Sequence, residues 1–491
     1  MELPFEGRTS GMFEFPEKQF FVDLFGGNVY AVGGFIRDRL LQRETKSLDL
    51  VDLLITRTPF EEIIQRLEKD GKVNPVGRSF GVIKFTINSR TYDIALPRSD
   101  TPKRAVVRGH KDFLIAADPD LPVEKDLERR DFRCNSIALR LADDKIFDPF
   151  KGKADIDQKI IQVTNEKAFP EDPLRVLRAA RFASVLNFSL APEIYALSKS
   201  IDLTGLSVER ITEELFRILL KSEQPSRGLE ELFRLGVLRQ LFPELYRLSL
   251  CIQDSLFHPE QDGFGHHTVW AHTILTVDQA ARLARIYKLN SESSLTLLLA
   301  ALYHDVGKTG TTEWEHKKGR MVVTSNGHDL LGESIAKKAF DRLKIFSWNG
   351  VDVRKSILSL VRCHHRASEL WANRNVLTKK AFNRLAVDID GEIELLVLLD
   401  MADRAGRNDT PVRQLDEEGA WLLDTFQTMN VTKQTIQPLL LGRDLLELGF
   451  VPGPRMGRIL KELYQKQLDS VFETREEGIK LAKTYKREDK E

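Results

Sequence analysis

Up to about residue 150 the chain alternates short apolar runs with turn-forming stretches, and runs of this length rich in β-branched and aromatic residues predict strands. They are Val29 to Val32, Leu48 to Ile55, Val82 to Ile87 and Tyr92 to Leu96, with a helical pattern over Phe60 to Lys69 between them. Together they predict an α/β head. From Ala168 onward turn signals thin out, and apolar residues recur at helical spacing, as in Leu174, Leu177 and Arg181, then Ile211, Leu215 and Ile218. The remainder therefore reads as almost entirely α-helical. Pro452 and Pro454 should interrupt helices near the end, with Gly453 and Gly457 easing the turn, and the charged end YKREDKE should fray.

Length and charge add constraints to this pattern. At 491 residues the chain is too long for one growing core, so several domains are expected. Hydrophobic residues make up 42% and charged residues 30%, a globular composition. Lysine plus arginine equals aspartate plus glutamate at 73 each, so any surface for a polyanion must be a local patch. Cys134, Cys251 and Cys363 are too scattered for a zinc knuckle and too few for a disulfide framework. The start lacks the pattern of a signal peptide, and the apolar run Leu295 to Tyr303 is cut short by His304 and Asp305. A cytoplasmic protein with a buried helix there, and no membrane partner, is the expectation.

Gly33 and Gly34 follow a strand pattern and open the run FIRDRLL, a place where backbone amides can receive phosphate or where the chain simply turns. In the next strand pattern, Ser47 and Asp49 stand two apart and so share a face, the spacing at which paired carboxylates hold metal ions, but only one of the two is a carboxylate. Asp52 alternates to the opposite face unless a bulge intervenes, and Asp93 can contribute from another strand. On a helix, Asp172, Arg175 and Arg178 would form a stripe about 120° wide, able to face a base edge or to form a surface ion pair.

Taken in order, GGFIRDRLL, KSLDL, TYDIALPR, DLERRDFRCNSIAL, FDPFKGKADI, EDPLRVLRAARFA and LSVERITEEL resemble the successive motifs of the bacterial CCA-adding enzyme and poly(A) polymerase family, over residues 28 to 221. The resemblance implies that Gly33, Gly34, Arg37 and Asp38 contact phosphate and that Asp49 is a catalytic metal ligand, with Asp93 as a further catalytic carboxylate. It implies that Arg129, Arg130, Asp131 and Asn135 contact ribose and triphosphate, and that Glu171, Asp172, Arg175 and Arg178 select CTP or ATP at the base. Glu209 and Arg210 match a supporting helix motif. Ser47 stands where the family has its first metal-binding aspartate, and a neutral hydroxyl cannot bridge two ions.

Farther along, the order His272, His304 with Asp305, His328, His364 or His365, and Asp403 supplies nitrogen and oxygen ligands from separate helical segments. The segments WAHTILTV, YHDVGK, NGHDLLGE and MADRAGR resemble the HD superfamily, which implies a metal site at His272, His304, Asp305, His328, His364 and Asp403, with Lys308 near phosphate. His266, His267 and His365 read as neighbours. LGRDLLELGFVPGPRMGRILKELYQKQL resembles the C-terminal module of the same enzymes.

The implied fold class is α+β, in four parts. A nucleotidyltransferase head spans 1–160 and a helical neck 161–250, followed by an HD metal-phosphohydrolase-like domain over 251–415 and a helical RNA-positioning module over 416–491. The implied activity is template-independent addition of CMP, AMP or both to the 3′ end of tRNA. It would use ATP and CTP with Mg2+ in the head, and Mg2+, Mn2+ or Ni2+ in the HD domain. CCA, CC, A and poly(A) addition use nearly the same motifs. An HD phosphohydrolase whose head only binds RNA or nucleotides is the alternative that Ser47 favours, and a non-catalytic RNA-binding protein is a third reading.

Overall fold

A computed structural model describes residues 12–43, 51–76, 81–102, 113–317, 319–407, 411–434 and 436–487. The chain divides into two compact units, one of residues 1–218 and 227–241, the other of residues 219–226 and 242–491.

The first unit is built on a seven-stranded sheet. Its strands are β1 (Val29–Val32), β2 (Asp52–Ile55), β3 (Lys72–Pro75), β4 (Val82–Ile87), β5 (Arg90–Ala95) and, after a separate pair β6 (Arg98–Pro102) and β7 (Phe113–Ala117), β8 (Ala138–Arg140) and β9 (Lys145–Phe147). Their spatial order is β3-β4-β5-β2-β1-β8-β9, with β2 and β5 parallel and the other neighbours antiparallel. Val29 to Val32 and Leu53 to Ile55 are buried on both faces, which is why these two strands read as unbroken apolar runs. One side of the core is aromatic, Phe15, Phe21, Phe85 and Tyr92 meeting at tilted or edge-on angles.

Beyond the sheet, the helix Leu174–Leu186 buries Leu174, Leu177 and Arg181 as its spacing predicts, and it ends on Asn187 in the left-handed conformation. Asp172 does not continue this helix, contrary to the stripe drawn from the sequence. The ring of Pro173 disfavours helical backbone in the residue before it, and Asp172 is extended, its Oδ1 accepting the Leu174 N–H at 3.2 Å. The helix Val208–Lys221 carries Ile211, Leu215 and Ile218 inward.

The second unit is helical, and the predicted buried helix is there as Ser291–Tyr303. Its core includes the helices Val269–Ile286 and Ile393–Gly406. They approach so closely at Gly406 that a Cβ there would sit 2.5 Å from Thr276 Oγ1. Two hairpins depart from the all-helical expectation. Glu313–Lys317 pairs with Arg320–Thr324 around Gly319 at φ +79°, and Ser347–Trp348 pairs with Val351–Asp352. Five alternating residues are too few to stand out against helical flanks, and the glycine turn is what closes the first hairpin. Near the end, Gly442–Glu447 and Pro454–Leu468 are separated at the prolines as predicted, and Pro454 occupies the helix start where a missing N–H costs nothing. The helix Arg475–Arg487 takes in the first three residues of the charged end, whose remainder lies outside the described residues.

Gly307 follows the His304–Asp305 pair, and a Cβ on it would lie 1.9 Å from the His328 carbonyl oxygen and 2.6 Å from the Gly332 nitrogen. Backbone cannot retreat as a side-chain tip can, so Gly307→Ala should destabilise by about 1–3 kcal/mol. Gly457 lies inside a helix with open space around it, and Gly457→Ala should stabilise by about 0.5–1 kcal/mol. Thermal unfolding of both variants reads the two signs against wild type.

Candidate functional site

Above the sheet of the first unit lies a cleft of about 510 Å³ lined by Gly33, Gly34, Asp52, Glu171, Asp172 and eight arginines, among other residues. Its charge is fixed from below by two buried carboxylates. Asp126, fully buried, takes Arg129 at 2.5 Å on one oxygen and Arg130 at 3.2 Å on the other. Burial alone would raise its carboxyl, but Arg130 and Arg129 outweigh that and hold it below the usual range. Asp131 accepts Arg178 Nε at 2.7 Å on Oδ2, and Asn135 Nδ2 at 3.0 Å with the Phe132 N–H at 2.8 Å on Oδ1. Desolvation works against it too, and Arg178 with Asn135 keeps it well below a normal carboxylate.

The neighbours interlock. Arg37 Nη1 donates to Asn135 Oδ1 at 2.5 Å and its Nε to Asp38 at 2.9 Å, so Asp38 braces Arg37 and does not itself line the cleft. Gly33, at φ +74°, leaves room for Arg130, whose Nη1 would be 2.9 Å from a Cβ there. Arg175 donates Nη1 to Ala168 O at 2.6 Å and Nη2 to Arg129 O at 2.7 Å. Arg210 pairs with Asp172 at 2.9 Å, which joins the predicted supporting helix to the cleft.

Asp49 and Ser47 lie outside the described residues. Asp52 lines the cleft, and β2 runs parallel to β5 with Asp52 in register with Asp93. Two carboxylates thus stand side by side on neighbouring strands. Desolvation, with the Asp93 charge adding to it and Arg130 opposing, raises the Asp52 carboxyl above its ordinary value. The signal for Asp52 in the sequence was its place at the head of an apolar strand, LVDLLI.

In the second unit the predicted ligands converge. His304, His328 and His364 each hold Nδ1 within 2.6 to 2.7 Å of a carbonyl three residues back, Ala301, Ser325 and Val361 respectively. A carbonyl only accepts, so each Nδ1 carries the proton and each Nε2 is left as the ligand-type lone pair. Asp305 Oδ2 is 3.2 Å from His304 Nε2 and 3.9 Å from His272 Nε2, while Oδ1 is 3.3 Å from His328 Nε2 and 3.8 Å from His364 Nε2. Asp403 Oδ1 is 2.8 Å from His272 Nε2 and 3.8 Å from His304 Nε2. Lys308 Nζ reaches Asp305 Oδ2 at 2.7 Å.

His365, read as a neighbour, belongs to the cluster, with its Nε2 2.9 Å from His328 Nε2. Burial pushes its imidazole down to about 4 and His364 well below normal, so both are neutral, the ligand form. His266 is exposed and outside the cluster. His304 Nε2 and Asp305 Oδ1 are buried with no well-formed hydrogen bond, a cost that a shared cation would remove.

Residues 29–162 match the poly A polymerase head domain, 269–404 the HD domain, and 187–248 a probable RNA and SrmB-binding site of polymerase A. Over 366 residues, 73% of this chain and 80% of the relative, the sequence is 34% identical to a multifunctional CCA protein of Actinobacillus pleuropneumoniae serotype 5b. The chain belongs to the bacterial CCA-adding enzyme and poly(A) polymerase family. Its fold is similar to that of the Bacillus stearothermophilus CCA-adding enzyme in complex with CTP (TM-score 0.59, 20% identity, 97% of this chain and 99% of that one). It is similar also to the Thermotoga maritima CCA-adding enzyme complexed with tRNA (TM-score 0.56, 17% identity, 97% and 98%). No described helix is long and apolar enough to cross a membrane.

Arg178→Ala would leave Asp131 buried without its cation, a loss of about 3 kcal/mol at neutral pH. A carboxyl depressed in the folded state contributes above its unfolded pKa of about 4, and that contribution fades as pH falls further. The stability gap between wild type and variant should therefore narrow below about pH 4 as Asp131 protonates in the variant. Urea unfolding at pH 7 and pH 3.5 measures it.

Proposed function

We propose that this family member adds CMP, AMP or both to the 3′ end of tRNA, as the CCA-adding enzymes it is similar to are named for doing. The observation that carries the reading is the cleft itself, which eight arginines and Asp52 line, with Asp93 in register beside Asp52 on the neighbouring strand. The reading keeps the four-part division at 160, 250 and 415, supported in its first three parts by the family matches over 29–162, 187–248 and 269–404, and three buried free cysteines suit the cytoplasm.

In this reading the triphosphate of CTP or ATP lies against the arginines, with Arg129 and Arg130 aimed by Asp126. Arg175 has five N–H donors and commits only part of them to backbone carbonyls, so the rest are held in a fixed place for a base edge. Asp172, tied to Arg210, offers an acceptor beside them. Glu171, Arg178, Asn135, Arg37, Gly33 and Gly34 complete the pocket around ribose and phosphate. The 3′ oxygen of the RNA forms a bond to the α-phosphorus, the bond to the β-phosphate oxygen breaks, and pyrophosphate leaves. Asp52 and Asp93, with Asp49 nearby in sequence, would hold magnesium, which neutralises charge on the transferring phosphoryl group. A carboxylate pair at Asp52 and Asp93 makes up for Ser47, and this favours a working transferase over a head that only binds.

The second site reads as a phosphohydrolase centre. His272 and His304, with Asp403 against both, gather on the Oδ2 side of Asp305, and His328, His364 and His365 on the other, so these residues would hold one or more divalent cations. A donor set this rich in imidazole favours Mn2+ or Ni2+ over Mg2+, and such ions supply Lewis acidity toward a phosphoester. Lys308 is placed to meet a phosphate oxygen.

Full-length protein incubated with tRNA transcripts ending before C74, at C75 and at A76, each with one labelled nucleotide, tests the main reading. Wild type should extend the first with CMP, the second with AMP, or both, and leave the third alone. Asp52→Asn should cut incorporation by roughly 100-fold or more, and Ser47→Asp should raise it by no more than about twofold. Asp305→Ala should abolish hydrolysis of a 2′,3′-cyclic nucleotide and keep incorporation within about twofold of wild type, since the sites draw on separate residues. A strong gain from Ser47→Asp, or no incorporation by wild type, would turn the assignment toward the hydrolase reading.

A further inference from the structure

His272 differs from the other histidines of its cluster. His304, His328 and His364 have Nδ1 pinned by backbone carbonyls three residues back in the chain. His272 lies one turn into the helix Val269–Ile286, and its Nδ1 instead comes within 3.0 Å of Oε1 of Glu260, in the irregular segment before that helix. This is a charge contact short of a well-formed hydrogen bond, and it is the approach to a buried acceptor that this Nδ1 makes. Glu260 is buried, and the same Oε1 is 2.9 Å from His258 Nδ1, while the His258 ring stands edge-on to the His272 ring at 4.8 Å between centroids. The segment is fastened nearby, where Gln253 Oε1 accepts from Lys308 Nζ at 2.8 Å.

We infer that Glu260 is a positioning residue for the HD centre: it holds the proton of His272 on Nδ1 and so turns Nε2, as a ligand, toward Asp403 and Asp305. His258 keeps the carboxylate in place. The inference rests on the metal reading of the cluster given above. Without Glu260, neutral His272 could carry its proton on Nε2 and donate it to Asp403 at 2.8 Å, a tautomer that cannot bind a cation there. A carboxylate accepting from a ligating histidine also makes the ring more basic and fixes its plane. The alternative is an ion seated on His258, Glu260 and His272 Nδ1 themselves; a neutral imidazole has one lone pair, so such an ion would leave the proton on Nε2 and take His272 out of the Asp305 cluster.

The test is equilibrium dialysis of metal-stripped, full-length protein against Co2+, reading ions per chain and Kd, with thermal unfolding of the stripped proteins alongside. Glu260→Ala should weaken Co2+ binding at the cluster about 10- to 100-fold. Glu260→Gln keeps an acceptor for the Nδ1 proton and should recover most of that loss, a rescue that lost packing would not show. An unchanged Kd in Glu260→Ala, whatever its melting temperature, overturns the inference and leaves the metal reading standing. Loss of one whole equivalent of Co2+ in Glu260→Gln, with the other ions bound as before, overturns it in favour of an ion of Glu260's own. Wild type that takes up no Co2+ overturns the metal reading, and this inference with it.

Discussion

Asp126 and Asp131 are carboxylates taken out of water, and a buried carboxylate must keep cations and N–H donors beside it or lose its charge. That requirement places Arg129 and Arg130 on one and Arg178 on the other, each guanidinium at the floor of the cleft. Arg178 also lies near Glu214, which takes Arg181 at 2.6 Å, so the helix Val208–Lys221 is tied by charge to the helix Leu174–Leu186 that Asp131 holds. Eight arginines crowded together would repel one another. Held by a buried acid layer, several of them become a rigid surface with N–H groups to spare, which is what a triphosphate requires.

The second unit meets the same problem with a different donor. His304, His328 and His364 spend Nδ1 on a carbonyl and His272 turns its own toward Glu260, which leaves their Nε2 atoms facing Asp305 and Asp403. The close approaches at Gly307 and Gly406 bring the helices near enough for those atoms to meet. Polar groups that would be costly in an apolar helix bundle become a preorganised ligand set.

Most of the fold was legible because its signals are local. The strands Val29–Val32 and Val82–Ile87 start and stop where their apolar runs do, and the helix Leu174–Leu186 follows its spacing. What stayed hidden depends on partners distant in sequence. Asp52 stands beside Asp93 through a parallel pairing, a register that alternation along one strand does not contain. Asp172 left its helix through a local effect, the proline after it, which the stripe argument passed over. His365 and Glu260 carry no spacing signal, and only the packing of separate segments brings them to the cluster.

The central claim is that the metal-binding carboxylates of the head are Asp52, in the arginine-lined cleft, and Asp93, in register beside it. The most direct measurement is anomalous scattering from crystals of the full-length protein soaked with Mn2+ and a non-hydrolysable CTP analogue. The account predicts manganese between Asp52 and Asp93 and the triphosphate against Arg129 and Arg130. Manganese held by Asp49 and Asp93 with Asp52 turned away, or an analogue bound outside the cleft, would contradict it.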